Sequence, residues 1–231
     1  MNISSLGTYV CRFIAPLVAV LLVAAPVDSL AQNKRALLIA IDEYQRVSDL
    51  SGTGNDVDLM RSVLVGKFDF PPENILVLKD RQATRDGILA AIRTHLIEPS
   101  EAGDIVVLHY SGHGSQMLDV SGVEIDGYDE TIVPHDARTQ GVFDISDDEL
   151  NAVLSELGQK TDNVTVIFDS CNSGSATRGA VARTVPPDMR QPPPPDLRGA
   201  GVDGAAIRPP SAKYVLISGA RSDEFANETR F

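Results

Sequence analysis

The sequence predicts an α/β protein with a mostly parallel central sheet and helices on both faces. Short apolar runs alternate with segments of helical spacing from residue 34 onwards. The apolar runs show little alternation with polar residues, which is typical of strands buried on both faces. The chain has 231 residues, of which 43% are hydrophobic. That length and composition fit one sizeable domain better than two.

Six strands and three helices are predicted along the chain. The strands cover residues 35–41, 74–78, 104–110, 131–133, 163–169 and 214–218. The first two helices cover residues 56–67 and 84–96. The third begins after Ser146, which forms a capping box with Glu149, and runs to about Leu157. Because strands alternate with helices, consecutive strands of the sheet are expected to be parallel.

The N-terminal 31 residues predict a secretory signal peptide. Arg12 precedes an apolar stretch at 13–27, and Ser29-Leu30-Ala31 resembles a cleavage site, so cleavage is expected after Ala31. The apolar stretch is interrupted by prolines and is short for a membrane span, although an uncleaved anchor is the alternative. The mature protein is therefore expected to be periplasmic or secreted, with no stable membrane span.

Charge and cysteine usage narrow the classes of function. The chain carries 20 Lys and Arg against 32 Asp and Glu, a net charge of -12, which disfavours nucleic acid as a partner. Of the two cysteines, Cys11 leaves with the signal peptide and Cys171 remains. Exported proteins usually pair their cysteines, so a single remaining one indicates either a reactive thiol or a buried apolar residue.

Two predicted strands end in polar, glycine-containing turns that hold the candidate catalytic residues. The third strand runs into a turn with His113 and Gly114, and the fifth runs into a turn with Cys171. The carboxyl ends of parallel strands meet at one edge of a sheet, so both turns are expected there. An imidazole beside a thiol can take its proton and later protonate a leaving amine. The backbone N–H groups of Gly114 and Cys171 are the candidates for an oxyanion hole.

Residues 175–212 form a linker rich in proline and glycine, which predicts an exposed and mobile segment. Five arginines lie in it: Arg178, Arg183, Arg190, Arg198 and Arg208. The sixth strand follows, and the chain ends at Phe231, soon after that strand. The last region is therefore expected to be incomplete.

Five ordered blocks of this sequence resemble the metacaspase family of caspase-like cysteine peptidases. HYSGHGS at 109–115 and DSCNSG at 169–174 resemble the two catalytic motifs. LSGTGNDV, EIDGYDETIVPHD and ISDDEL resemble the other conserved blocks. The resemblance implies a caspase-like three-layer sandwich. It divides the mature chain into a large catalytic region at 32–178, a linker at 179–212 and the start of a small region at 213–231.

The resemblance also implies roles for particular residues. His113 and Cys171 correspond to the catalytic dyad. Asp56, Asp169 and Ser111 correspond to an acidic S1 pocket, which would select Arg or Lys at P1. A carboxylate pair suits a guanidinium that binds in bidentate fashion. Calcium, not required for the chemistry itself, is implied as an activator, held by Asp129, Asp147 and Asp148.

The sequence is thus interpreted as a cysteine endopeptidase that cleaves proteins or peptides after Arg or Lys and processes itself in the linker. A monomer is favoured. The alternatives are a non-catalytic caspase-like binding or scaffold module, and a legumain-like or gingipain-like thiol peptidase.

Overall fold

The computed structural model describes residues 32–120, 122, 124, 126–170, 181–191, 214–218 and 227–228. Its ten strands are β1 (Lys34–Ala40), β2 (Ile75–Lys79), β3 (Ile105–Ser111), β4 (Gly114–Leu118), β5 (Tyr128–Ile132), β6 (Ile145–Ser146), β7 (Asn163–Asp169), β8 (Val181–Ala182), β9 (Tyr214–Ser218) and β10 (Asn227–Glu228). Its helices are α1 (Thr53–Phe68), α2 (Arg85–Ala91) and α3 (Asp147–Gly158). A π-helical segment, Ile92–Ile97, continues α2.

The central sheet has five strands in the order β2-β1-β3-β7-β9, and every neighbouring pair is parallel. The predicted parallel α/β architecture is therefore confirmed. The register places Ser111 beside Ala40 on one side and beside Asp169 on the other. Three strands thus end at the same level, and polar residues of two of them are adjacent at that edge.

Side chains of β1 alternate between two apolar cores, one on each face of the sheet. Leu37 and Ile39 face the core that includes α2 and α3, whereas Ala36 and Leu38 face the core that includes α1. Helices therefore cover both faces, which gives the expected three layers. At the start of α3, the Oγ of Ser146 accepts a hydrogen bond from the N–H of Glu149, and the predicted capping box is confirmed.

The strand predicted at 131–133 does not belong to the central sheet. It corresponds to β5, which pairs antiparallel with β4 and with β6 in a separate sheet of three strands. The sequence pattern could not distinguish these sheets, because three apolar residues fit either one. This small sheet lies next to the strand-end turn of His113, since β4 begins at Gly114.

Part of the linker is buried, which corrects the prediction of an exposed segment at Arg183, Val185 and Asp188, whereas Pro186 and Pro187 are exposed. Arg183, Val185 and Asp188 are each 5–6% exposed. Backbone bridges join Thr184 to Gly114 and Asp188 to Met117. Composition predicted exposure because proline and glycine form few regular hydrogen bonds. In the structure, however, the backbone of this segment pairs with residues of β4.

Candidate active site

His113 lies in the turn between β3 and β4 and is 1% exposed. Its Nε2 lies 2.8 Å from the carbonyl oxygen of Ser48, and its Nδ1 has no hydrogen-bond partner among the described residues. A carbonyl oxygen only accepts hydrogen bonds, so in the neutral ring the proton belongs on Nε2. Nδ1 then keeps its lone pair and is the atom that can accept a proton.

The surroundings of His113 favour its neutral form. Burial lowers the pKa of the imidazole, while the carbonyls of Ser48 and Arg183 raise it to a smaller extent. The positive charges of Arg138 and Arg183 lower it further. A neutral imidazole is the form that a general base requires.

Two buried tyrosines fix the turn that carries His113. The backbone N–H of His113 donates to the hydroxyl of Tyr44 at 2.8 Å, and the two rings are 4.9 Å apart. The hydroxyl of Tyr110 donates to the carbonyl of His113 at 2.7 Å. A Cβ on Gly112 would lie 2.6–2.8 Å from these two side chains, so only glycine fits at this position.

The three residues predicted to form an acidic pocket lie close together, with Ser111 and Asp169 at the ends of β3 and β7 and Asp56 in the first turn of α1. The hydroxyl of Ser111 donates to Oδ2 of Asp56 at 2.9 Å. Asp169 lies beside Ser111 in the sheet register. The side chains of Asp56 and Asp169 are 33% and 35% exposed, so the pocket opens to solvent in part.

Arg183 of the same chain occupies this pocket. Its Nη2 lies 2.7 Å from Oδ2 of Asp56, and its Nη1 lies 2.6 Å from Oδ2 of Asp169. Nη1 also donates to the hydroxyl of Ser111 at 2.9 Å. The guanidinium therefore engages all three predicted pocket residues, and its side chain is only 6% exposed.

The backbone of Arg183 meets the predicted oxyanion donor. The N–H of Gly114 donates to the carbonyl oxygen of Arg183 at 2.9 Å. Arg183 thus combines a guanidinium in the acidic pocket with a carbonyl on the N–H that follows the histidine. That is the arrangement expected of a P1 residue at a peptidase site.

Cys171, the other half of the predicted dyad, lies outside the described residues. The last three residues of its motif, 172–174, lie outside them as well. Ser170, directly before it, is 5% exposed and follows β7. Because β7 pairs with β3, the chain enters the cysteine turn from the strand next to the one that leads to His113.

Of the three aspartates predicted to hold calcium, Asp129 lies on β5, and Asp147 and Asp148 are the first two residues of α3. Asp129 is 4% exposed, and burial together with the charges of Asp147 and Asp148 raises its pKa to about 7. Burial and the charge of Asp148 likewise raise the pKa of Asp147 to about 7. Their oxygen donors suit a hard cation, but the described residues contain no group of three ligands arranged around one point.

Sequence reasoning did not identify Tyr44, Ser48 or Arg183 as parts of the site. Tyr44 and Ser48 follow β1, whose carboxyl end lies at the same sheet edge, so the strand-end rule could have identified that loop. Arg183 was one of five linker arginines, and nothing in their local sequence distinguishes it.

The fold and the site define a class of protein. A mostly parallel sheet with helices on both faces, with His113 at one strand end, is consistent with a caspase-like fold. The family model for the metacaspase, peptidase C14 domain matches residues 34–178. The chain belongs to this family of cysteine peptidases. This assignment favours a metacaspase over the legumain-like and gingipain-like alternatives.

Individual relatives agree with this assignment. The chain is 40% identical over 150 residues to Metacaspase-1A of Aspergillus oryzae, covering 62% of this chain and 35% of the relative. It is 38% identical over 149 residues to Metacaspase-1 of Arabidopsis thaliana, covering 62% and 40%. A crystal structure of a Geobacter sulfurreducens protein superposes with a TM-score of 0.54 at 28% identity, over 67% of this chain and 58% of that one. The matched region thus spans well under half of the two metacaspases.

Proposed function

We propose that this chain is a cysteine endopeptidase that uses Cys171 and His113 to cleave peptide bonds after Arg or Lys. The observation that carries the proposal is Arg183, whose guanidinium is bound by Asp56 and Asp169 while its carbonyl accepts from Gly114. Protein and peptide substrates with a basic P1 residue would present the same two groups. Lysine reaches the same carboxylates as a single charge, without the bidentate geometry of arginine.

The chemistry follows from the position of His113. Nδ1 takes the thiol proton as the sulfur of Cys171 attacks the P1 carbonyl carbon. The resulting oxyanion is stabilised by the N–H of Gly114, with the N–H of Cys171 as the second proposed donor. Nδ1 then protonates the leaving amine as the C–N bond breaks. Water, deprotonated by the same imidazole, hydrolyses the thioester and restores the thiol.

We further propose that the chain cleaves itself between Arg183 and Thr184. Arg183 already has the side-chain and carbonyl contacts of a P1 residue. Arg190, another linker arginine, instead pairs with Asp188 at 2.6 Å and lies over the ring of Phe143. Arg183 is therefore the better candidate of these two linker sites.

Intact-mass measurement and N-terminal sequencing of the purified full chain test both proposals. A new N-terminus at Thr184, absent in Cys171→Ala, is expected. Hydrolysis of short Arg and Lys reporter peptides, but not of an Asp reporter, is expected as well. An intact wild-type chain that hydrolyses no reporter would support the non-catalytic binding module, with Arg183 as a permanent structural contact.

Calcium activation is a separate proposal that rests on the donor chemistry of Asp129, Asp147 and Asp148. When bound, Ca²⁺ would supply positive charge to a buried group of carboxylates and take no part in the peptide cleavage. Asp129 and Asp147 carry the raised pKa values that such a charge would reverse. Reporter hydrolysis with and without Ca²⁺ tests this proposal.

Export is proposed from the N-terminal sequence alone, since residues 1–31 lie outside the described part of the chain. The described residues contain no helix that is both long and apolar enough to cross a membrane. Expression in a bacterial host, followed by fractionation and N-terminal sequencing, tests the prediction. A mature N-terminus at Gln32 in the periplasm or medium is expected.

A further inference from the structure

The segment that follows Arg183 is bound along β4 in a defined register. The N–H of Val185 donates to the carbonyl of Gly114 at 3.1 Å, and the N–H of Asp188 donates to the carbonyl of Gln116 at 2.8 Å. The bridges to β4 are parallel. If Arg183 is P1, then Thr184 to Asp188 occupy the primed side, beyond the scissile bond.

Val185, the second residue after that bond, fills an apolar recess. It is 6% exposed and packs with Val133 and Ala137, which are 0% and 2% exposed. Tyr44 and Val47 pack against the same cluster. The recess is therefore closed on several sides by apolar groups from two loops.

The recess is linked to the catalytic histidine by short contacts. The hydroxyl of Tyr110 lies 2.7 Å from the carbonyl of His113 and 3.1 Å from the carbonyl of Val133. The N–H of Val133 donates to the carbonyl of His113 at 3.0 Å. A side chain seated against Val133 is thus held at a fixed position relative to the base.

Carbonyl groups of the bound segment accept hydrogen bonds from two side chains. The hydroxyl of Ser115 lies 3.0 Å from the carbonyl oxygen of Val185 and 3.1 Å from that of Pro186. Arg138 donates to the carbonyl of Pro186 at 2.7 Å and to the hydroxyl of Ser115 at 2.7 Å. These contacts involve only the backbone of the segment, so they fix its register without selecting its sequence.

Arg138 is itself held by a buried acid. Its Nη2 lies 2.9 Å from Oδ2 of Asp144, whose side chain is 0% exposed, and Thr131 donates to the same oxygen at 3.2 Å. The backbone of Arg138 has a φ of 64°, which side chains other than glycine adopt only where the surroundings fix them. This arginine is therefore held in part by contacts that do not involve the bound segment.

From this geometry we infer a primed-side substrate subsite, formed by the edge of β4, Arg138 and the Val133–Ala137 recess, that selects an aliphatic side chain at P2′. The inference rests on the proposed function, since it takes Arg183–Thr184 as the scissile bond. The inferred subsite extends specificity from the basic P1 residue to the part of the substrate that follows the scissile bond.

The chemistry of the recess determines which P2′ residues it accepts. Valine or leucine gains from burial of its apolar surface, whereas aspartate would lose hydration among the apolar side chains of this cluster. Differences of this kind in an apolar subsite change kcat/KM by about 10- to 200-fold. Pro186 occupies the P3′ position, where its carbonyl accepts a hydrogen bond from Arg138. Proline has this carbonyl, so it is tolerated at P3′.

The test uses two peptides that share Arg at P1 and Thr at P1′ and differ only in Val or Asp at P2′. They compete in one tube with the full-length chain, so any partial block by its own linker affects both equally. The valine peptide is expected to be cleaved at least about tenfold faster. Equal rates would overturn the subsite.

A short Arg reporter that has no primed-side peptide separates this inference from the proposed function. If the reporter is cleaved and the two peptides do not differ, the subsite is wrong and the proposed function stands. If neither peptides nor reporter are cleaved, the proposed function fails first, and the subsite falls with it.

Variants of the chain itself give an independent measurement. Val185→Asp is expected to slow cleavage at Arg183–Thr184 by at least about tenfold, whereas Val185→Leu, the matched apolar variant, keeps it within about threefold. Self-cleavage of Val185→Asp at the rate of Val185→Leu would also overturn the subsite.

Discussion

Two acidic regions of this protein differ in the charges that surround their carboxylates. In the pocket at the ends of β3 and β7, Asp56 and Asp169 are paired with the guanidinium of Arg183. On β5 and at the start of α3, the pKa values of Asp129 and Asp147 are raised to about 7 by burial and by neighbouring carboxylates. A guanidinium therefore neutralises the first pair, whereas neighbouring carboxylates disfavour the charged forms of the second.

The difference shows why one acidic region can be interpreted more fully than the other. The pocket binds a guanidinium of the same chain, which supports the proposed preference for a basic P1 residue. The carboxylates near β5 reveal only that burying like charges together is unfavourable.

Replacing Asp56 by Asn removes one charge from the pocket while preserving its shape. We expect kcat/KM for Arg reporters to fall about 100-fold, because truncating one partner of a partly buried charge pair costs about 2–5 kcal/mol. The measurement is steady-state hydrolysis of Arg and Gln reporters. Asp58→Asn, a surface acid of the same helix whose side chain is 66% exposed, is the matched control. A loss under threefold for Asp56→Asn would contradict the pocket assignment.

Replacing Arg183 by Met makes the pocket resemble the other acidic region. We expect the free energy of unfolding to fall by about 2 kcal/mol, less than the loss for a fully buried pair because both carboxylates remain about a third exposed. Denaturant unfolding in a Cys171→Ala background, where no cleavage occurs, measures it. Added agmatine, which carries a guanidinium, should restore part of the loss. An unchanged midpoint would show that the pair adds nothing to stability.

Most of the framework of this site could be predicted from sequence, because strand-end turns and buried strands leave strong local patterns. His113, Ser111 and Asp169 lie at one sheet edge because parallel strands place their carboxyl ends together. Asp56, which only the family resemblance implied, reaches this edge from the first turn of α1. The role of Arg183 could not be predicted from the sequence. One of its partners, Asp56, lies more than a hundred positions away in the chain, and its own segment is rich in proline. Buried linkers of this kind depend on long-range contacts that composition does not encode.

The acidic group near β5 can be tested by adding a divalent cation. We expect Ca²⁺ at millimolar concentration to raise the Tm of wild-type protein by a few degrees, because binding to the folded state adds RT ln(1 + [Ca²⁺]/Kd) to its stability, about 1–3 kcal/mol at moderate excess. Asp129→Asn should lose this shift. Thermal unfolding in Ca²⁺, Mg²⁺ and chelator measures it, and equal shifts in both proteins would contradict the site.

The smallest expected effect concerns the base that lies beside the filled pocket. Burial lowers the pKa of His113 from its ordinary 6.5, and Arg138 and Arg183 lower it further. A general base acts in its neutral form, and kcat/KM reports the free enzyme, so the acid limb of its pH profile should lie below about pH 6.5. Because Arg183 carries one of the two charges that lower this pKa, Arg183→Met should move the limb upward. A limb that stays in place or moves downward would contradict this role of the Arg183 charge.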